Sequence, residues 1–208
     1  RDSSTSRGLG DVYKRQIPPG VQTTAPILDR TFGQGSGQGY IALAAGSIKN
    51  ATDEPDSTIA SAAQGALSFT VTPGSPDPQV LILHTHATET YQTWDTPVYD
   101  PDFTARTKDT TLNMCAVGEA MTKVLNDAGI TTLHDTTLHD SPSYTESYAR
   151  SAQTARRYLE EYPSIKVVLD VHRDAMESGD ARVRPLTTLD GQPTAQAVSY
   201  THLRAHET

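Results

Sequence analysis

Residues 80–91 read Val-Leu-Ile-Leu-His-Thr-His-Ala-Thr-Glu-Thr-Tyr, a short apolar run that leads into two histidines and a glutamate. Residues 165–172, Ile-Lys-Val-Val-Leu-Asp-Val-His, form a second run of this kind, which ends in His172. Such runs are typical of parallel strands that are covered on both faces. Helical patterns lie between the two runs. The order of elements therefore predicts an α/β fold, with a mainly parallel or mixed twisted sheet and helices on both faces.

The segments around these runs predict the remaining elements. Apolar spacing from Met114 to Ala128, followed by Gly129, predicts a helix, and residues 130–133 predict a short strand. Ser143-Tyr-Thr-Glu146 matches a capping box and predicts the start of a second helix, which buries Tyr148 on its apolar face. The other predictions are strands over residues 39–43 and 67–71, a loop over residues 53–61, and a hairpin around Asp190-Gly191.

Histidines at the ends of both runs predict a metal site. The carboxyl ends of parallel strands meet at one edge of a sheet, where ligands of open α/β sheets bind. A turn over residues 86–89 would bring His86 and Glu89 to one side, and His172 would approach from the other strand. Three N/O ligands with an open fourth position are typical of catalytic zinc. We therefore predict His86, Glu89 and His172 as Zn²⁺ ligands. The alternative is that His86 and His172 are loop histidines hydrogen-bonded to the backbone. This alternative would explain a single histidine, but it explains the joint pattern of two strand-terminal histidines and a glutamate less well.

Three further residues are predicted beside the metal, where they would support its ligands or contact substrate. His84 precedes His86 by two positions, and His134 follows a predicted strand. Arg173 directly follows His172. Its guanidinium would bind a carboxylate of the substrate, or would instead form a local ion pair with Asp174.

Composition narrows the possible partners. The chain has 208 residues and a formal net charge of -8, which argues against nucleic acid and anionic membrane surfaces as partners. Cys115 is its single cysteine, so neither an intramolecular disulfide nor a cysteine-rich zinc module is available. There is no G-x-S-x-G motif and no glycine-rich phosphate loop. No apolar run approaches the roughly 20 residues of a membrane-spanning helix, so we expect any membrane anchor to lie outside this sequence.

Composition and apolar periodicity along the chain also predict its division into flanks, a linker and a domain. Residues 1–16 and 199–208 lack apolar periodicity and are predicted to be non-native flanks. Residues 17–38 are rich in Pro, Gly, Thr and Gln and are predicted to be a linker. Residues 39–198 are predicted to form the catalytic domain, which we expect to be incomplete at its C-terminus.

Four segments, residues 46–52, 80–91, 134–144 and 169–174, closely resemble the stage II sporulation protein P family, in order and at plausible spacing over residues 39–198. These are zinc-dependent cell-wall hydrolases of spore-forming bacteria, related to the N-acetylmuramoyl-L-alanine amidases. The resemblance implies an amidase-like fold and cleavage of peptidoglycan between N-acetylmuramic acid and L-alanine. It also implies endopeptidase activity on cross-links.

The same resemblance implies action during engulfment, outside the cytoplasm, from a membrane anchor and together with other sporulation cell-wall proteins. It supports the three predicted zinc ligands. The general-base glutamate of the family lies on a later strand, in a sequence such as Leu-Ile-Glu-Val-Gly, which does not occur here. We therefore expect slow hydrolysis by this chain, with Glu177 as the only weak substitute besides Asp174. The other functions considered are a zinc carboxypeptidase-like or deacylating hydrolase and a non-catalytic wall-binding module.

Overall fold

The structure of the chain is a computed structural model that describes residues 25–31, 35–44, 46–92, 98–99 and 103–203. Its elements are β1 (Ala25–Thr31), β2 (Tyr40–Leu43), β3 (Gly46–Lys49), α1 (Asp56–Gln64), β4 (Val80–Leu83), β5 (Val98–Tyr99), α2 (Met114–Asp127), β6 (Thr132–His134), α3 (Ser147–Glu161), β7 (Val167–His172), β8 (Met176–Ser178), β9 (Ala181–Leu189), β10 (Gln192–Ala195) and β11 (Val198–Leu203). The two apolar runs form β4 and β7, and the predicted α/β fold class is confirmed.

The central sheet contains both of these strands. It has four strands in the order β11-β7-β4-β6. β4 is parallel to β6 and β7, whereas β11 is antiparallel to β7, so the sheet is mixed. Leu83 at the end of β4 lies opposite Asp170 of β7. The carboxyl ends of β4 and β7 therefore lie side by side, and each leads into a histidine.

Helices cover both faces of this sheet. All four residues of β4 are buried, and successive strand residues point to opposite faces. Val80 and Ile82 consequently pack against α2. Leu81 and Leu83 pack against α3 on the other face. Each buried aliphatic side chain contributes about 1.5–3 kcal/mol, so β4 forms the centre of the core. Within the described ranges, no helix has both the length and the apolar character needed to cross a bilayer.

A second sheet has the strand order β10-β9-β1-β5, with β8 paired to β9. β9 and β10 form the predicted hairpin, and Asp190 and Gly191 at its turn have φ values of 52° and 77°. Two positive φ values are the signature of a two-residue hairpin turn. Residues 25–31, which lie in the predicted linker, form β1 and pair in parallel with β9. Asp29 and Arg184 form an ion pair across this ladder at 2.7 Å.

β11 lies partly in residues 199–208, which the sequence predicts to be a flank foreign to the domain. Its backbone pairs with β7 from Val198 to Leu203. Strand pairing uses backbone N–H and C=O groups, which every residue except proline supplies, so an edge strand forms with little demand on the side chains.

Two predictions upstream of β4 are wrong. Residues 67–71 form no strand, and Leu67 is 67% exposed. Alternation of apolar and polar residues does not suffice to form a strand there, because the apolar side chains have no apolar surface to pack against. The segment 53–61 is not a loop throughout, since α1 begins at Asp56 directly after Pro55. Proline is compatible with the start of a helix because the first amides of a helix have no intrahelical partner.

The predicted capping box before α3 is also wrong. Glu146 adopts a left-handed conformation with φ of 66° and makes no capping hydrogen bond, and the helix begins at Ser147. The guanidinium of Arg150 organises this turn instead. It donates to the carbonyl oxygens of His139 (2.6 Å), Thr145 (3.0 Å) and Ser143. A side chain one turn into the helix thus holds the connection that precedes it.

Candidate metal centre

A tight turn directly after β4 carries two of the predicted ligands. The amide of Glu89 donates to the carbonyl of His86 across 3.1 Å, so the chain reverses between them. The amide and hydroxyl of Thr85 donate to one carboxylate of β7 at 2.8 and 2.6 Å. The amide and hydroxyl of Thr88 donate in the same way to Asp140, at 3.2 and 2.6 Å. Two buried carboxylates therefore hold the start and the end of the turn.

His86, Glu89 and His172, hereafter the triad, converge at the edge of the central sheet. Potential ligand atoms of the three residues lie within 4.8 Å of one another. Nδ1 of His86 is 3.7 Å from Oε1 of Glu89, and the rings of His86 and His172 meet edge to face with centroids 5.1 Å apart. The turn supplies two members, and the end of β7 supplies the third.

Two buried atoms of the triad have no hydrogen-bond partner among the described residues. They are Nε2 of His86 and Oε2 of Glu89. Leaving a buried polar atom without a partner costs about 1–3 kcal/mol, so such atoms are rare and call for an explanation. A divalent cation accepts electron pairs from both imidazole nitrogen and carboxylate oxygen. The donor set and the two unsatisfied atoms therefore fit a metal ion.

Electrostatic surroundings favour the same interpretation. Burial, followed by the neighbouring His172, lowers the pKa of His86 and so favours the neutral imidazole that binds metals. Burial raises the pKa of Glu89, although Arg173 and Arg106 oppose the change. A bound cation would favour the charged form of this buried carboxylate.

Asp170 supports the third member of the triad. Its Oδ1 lies 2.9 Å from Nε2 of His172, and its carboxylate also accepts the two hydrogen bonds from Thr85. Burial alone would raise the pKa of Asp170, but interactions with His172 and Thr85 outweigh it and lower the pKa. A carboxylate beside a metal-binding histidine fixes the orientation of the imidazole ring.

Arg106 supports Glu89 from the loop before α2. Its guanidinium donates to Oδ2 of Asp140 at 2.7 Å and lies 3.4 Å from Oε1 of Glu89. Asp140 thus accepts hydrogen bonds from both Thr88 and Arg106. The arginine contacts one oxygen of Glu89, Oε1, whereas Oε2 is buried and has no hydrogen-bond partner among the described residues.

His84 and His134 lie beneath the triad. His84 is 0% exposed, and its Nδ1 donates to the carbonyl of Val171, the residue before His172. With Nδ1 as a donor, Nε2 of a neutral His84 accepts from Nε2 of His134 at 2.9 Å. Nδ1 of His134 lies 3.3 Å from Glu119. Of the two roles left open for these histidines, their burial matches support of the site, because contact with substrate requires an accessible ring.

Gly118 of α2 lies directly against this histidine pair. A Cβ atom at position 118 would lie 2.5 Å from Nε2 of His84 and closer still to Nε2 of His134. Both distances are well inside van der Waals contact. Helix α2 can therefore approach the histidines this closely only with glycine at position 118.

Three other titratable residues, His139, Glu177 and Asp174, already interact with other groups. His139 is buried and bonds the carbonyl of His84 and the hydroxyl of Thr154, both at 2.9 Å, as expected for a structural histidine. Glu177 lies in β8 rather than in a loop and pairs with Arg182. The carboxylate of Asp174 accepts from the amide of Ala175 at 2.8 Å. The ion pair between Asp174 and Arg173, one of the two predicted alternatives, does not occur among the described residues.

Two tyrosines missed by the sequence prediction flank His86. Tyr144 stacks on the imidazole with centroids 4.6 Å apart, and Tyr148 meets it edge to face at 5.2 Å. They are 56% and 55% exposed, which corrects the prediction that Tyr148 lies on the buried face of α3. The available signal was the presence of Tyr144 in one of the segments that resemble a known family. Trp94, five residues after Glu89 in the sequence, lies outside the described residues.

Comparison with known families identifies the same part of the chain. Residues 39–198 match the family described as stage II sporulation protein P. No curated protein and no solved structure gave a match. The matched residues include both central strands and all three members of the triad. The chain therefore belongs to the stage II sporulation protein P family, which gives it a role in sporulation, at engulfment.

Proposed function

We propose that the protein is a zinc-dependent peptidoglycan hydrolase that cleaves the amide between N-acetylmuramic acid and L-alanine during engulfment. The observation that carries this proposal is the convergence of His86, Glu89 and His172, with two buried ligand atoms that lack a partner. Membership of a sporulation family supports the cell wall as the place of action. Cleavage of peptide cross-links is proposed as a second activity of the same site.

The three side chains of the triad would hold the zinc ion. A zinc ion with three protein ligands supplies Lewis-acid activation of the scissile carbonyl and of water. The chain's own residues keep these ligands ready. Asp170 orients His172, while Arg106 and Asp140 restrain Glu89. Pre-oriented ligands bind a metal without further ordering of the side chains.

Substrate binding is proposed to begin at the two tyrosines beside His86. Tyr144 and Tyr148 are more than half exposed, so both present aromatic surface to solvent next to the triad. The ring of Tyr144 is also contacted by His86 and Arg106. The C–H faces of a sugar ring fit against such a surface, which has a polar hydroxyl at its tip. We propose that the glycan part of peptidoglycan contacts these rings.

Proton transfer requires a further group. Among the described carboxylates near the triad, Asp140 and Asp170 already accept hydrogen bonds from threonines, and Glu89 is a proposed ligand. We propose that the acid-base glutamate comes from outside the described residues, on the later strand expected from the family resemblance. Such a group typically contributes about 10²- to 10⁴-fold to the rate.

The deciding experiment measures the products of peptidoglycan hydrolysis. Zinc-loaded protein is incubated with purified sacculi, and newly freed amines are identified after labelling. We expect N-terminal L-alanine from the zinc-loaded protein, no product from His172→Ala, and faster release from a chain extended through the glutamate strand. Release of single C-terminal residues would indicate a carboxypeptidase instead. Zinc binding without any product from the extended chain would indicate a wall-binding module.

Location and partners form part of the proposal. We propose an extracytoplasmic enzyme tethered by a membrane anchor that is not among the described helices. Peptidoglycan is the proposed substrate, and other sporulation cell-wall proteins are the proposed partners. Nucleic acid is not proposed as a partner because the formal net charge is -8.

Replacing Asp170 by asparagine is expected to weaken zinc binding about 10- to 100-fold, the usual effect of removing a carboxylate that orients a metal-binding histidine. Asparagine keeps the shape but can no longer act as a charged acceptor for both His172 and Thr85. Competition with a chelating dye measures the affinity. Asp127→Asn is the matched control, since Asp127 is an exposed carboxylate paired with Lys123. Equal zinc affinity in the Asp170 and Asp127 variants would refute this role.

A further inference from the structure

A cavity of about 460 Å³ opens next to the triad. Its wall includes Thr90 and Arg173, the residues that directly follow Glu89 and His172 in the chain. The volume is within the roughly 300–1,000 Å³ of ordinary ligand pockets. The lining is mainly apolar and includes Ile27, Tyr91, Tyr99, Phe103, Met176 and Val183. A ligand in this cavity would therefore lie beside two of the three proposed zinc ligands.

Arg173 differs from the other arginines of this cavity because its guanidinium has no acidic partner among the described residues. Its Nε is buried and has no hydrogen-bond partner among the described residues. Among the described residues, the two terminal nitrogens donate only to backbone carbonyls, of Asp174 at 3.3 Å and of Ala105 at 3.4 Å, both long for hydrogen bonds. No carboxylate of the described ranges lies within ion-pair distance of this guanidinium.

The other two arginines of the cavity differ in this respect. Arg182 pairs with Glu177, and Arg184 pairs with Asp29 at 2.7 Å. The chain has 25 acidic residues against 17 basic ones, so acidic partners for arginine are plentiful. Glu89 acts on the partly buried guanidinium of Arg173 only electrostatically, without an ion-pair contact, and a bound anion would accept the hydrogen bonds that the guanidinium has left. Its planar fork of donors matches a carboxylate, to which two parallel hydrogen bonds can form.

We infer that the cavity binds the peptide part of the substrate and that Arg173 binds a free carboxylate on that peptide. This inference rests on the proposed function and adds which part of the substrate lies on each side of the triad. The tyrosines that we propose for the glycan contact His86, whereas the cavity is lined by Thr90 and Arg173, which follow Glu89 and His172 in the chain. A substrate with sugar on one side of its amide bond and an acidic peptide on the other would place that bond at the triad.

Equilibrium binding tests this assignment independently of turnover. The probes are N-acetylmuramyl-L-alanyl-D-glutamate and the same compound with both glutamate carboxyl groups converted to amides. Calorimetry with the zinc-loaded protein measures both affinities, and chromatography verifies that the probes remain intact. One charge-assisted hydrogen-bonding group is worth about 1.5–3 kcal/mol, so we expect the diacid to bind about 10- to 100-fold more tightly than the diamide.

Three variants locate the preference. In Arg173→Gln the preference for the diacid should disappear, and in Arg173→Lys part of it should return because the charge is kept without the fork. Arg182→Gln is the matched control, since that arginine lines the same cavity but is already paired, and it should keep the full preference. Unchanged zinc content in each variant would verify that the triad is intact.

Two results would overturn the inference. One is an undiminished preference in Arg173→Gln, and the other is displacement of the diacid by inorganic phosphate at equal concentration, which marks a general anion site. The outcome for the proposed function is separate. Hydrolysis of sacculi without carboxylate preference removes only the inference about Arg173. Carboxylate preference without hydrolysis removes the amidase proposal and leaves the carboxylate site supported.

Discussion

Alanine in place of His172 is expected to reduce the zinc content of the purified protein from about one ion per chain to almost none. His172 is the member of the triad contributed by β7, and the turn alone would then supply only His86 and Glu89. Two ligands cannot form the three-ligand arrangement of a catalytic zinc site. His86→Ala should give the same result. Elemental analysis after dialysis against zinc-containing buffer measures the content.

His139→Ala is the matched control for these two variants. It also removes a buried imidazole, but its bonds are to Thr154 and the carbonyl of His84 rather than to the triad. We expect lower stability with zinc still bound. Full zinc content in His86→Ala, together with loss of zinc in His84→Ala, would show that the ligand was assigned to the wrong histidine.

Gly118→Ala is expected to destabilise the protein by about 1–3 kcal/mol, the usual cost of adding an atom to a well-packed core. For a domain of this size this corresponds to a fall of roughly 2–12 °C in the melting temperature. The added methyl group would push His84 and His134 away from α2. Loss of the bond from His84 to the carbonyl of Val171 should also loosen the end of β7 and weaken zinc binding.

The sign of this effect distinguishes packing from helix propensity. Inside a helix, alanine is normally more favourable than glycine by about 0.5–1 kcal/mol. Ala120→Gly on the exposed side of the same helix is the control and should lose about that amount without affecting zinc affinity. A Gly118→Ala protein more stable in urea than the parent chain would contradict the packing argument.

The central sheet and the convergence of the triad were predictable because both follow from strong local patterns. An apolar run such as Val80–Leu83 has few alternatives to a buried strand, and parallel neighbours place their ends at one edge. Asp170 also gave a signal that the prediction did not use. A carboxylate inside an apolar strand, two residues before a predicted ligand, needs a buried partner to be tolerated.

The missed features depend on contacts between segments distant in sequence. The capping box failed because Arg150, further along the helix, satisfies the carbonyls of the turn. Tyr148 is exposed because α3 meets the sheet through Ala155, Leu159 and their neighbours and leaves its first turn beside His86. Helical periodicity identifies an apolar face but gives no information on how much of that face its neighbours cover.

The parallel register between β4 and β7 links metal binding to the folding of the whole domain. His86 and Glu89 are close in sequence, but His172 joins them only when β7 pairs with β4, and α2, β6 and α3 separate these two strands along the chain. A slip of one residue would turn the side chains of β7 to the opposite face and remove the third ligand. Zinc would bind tightly only to the native pairing, so each increase in free zinc should raise the melting temperature. Zinc affinity would thus depend on the correct pairing of β4 and β7 as well as on the three ligands themselves.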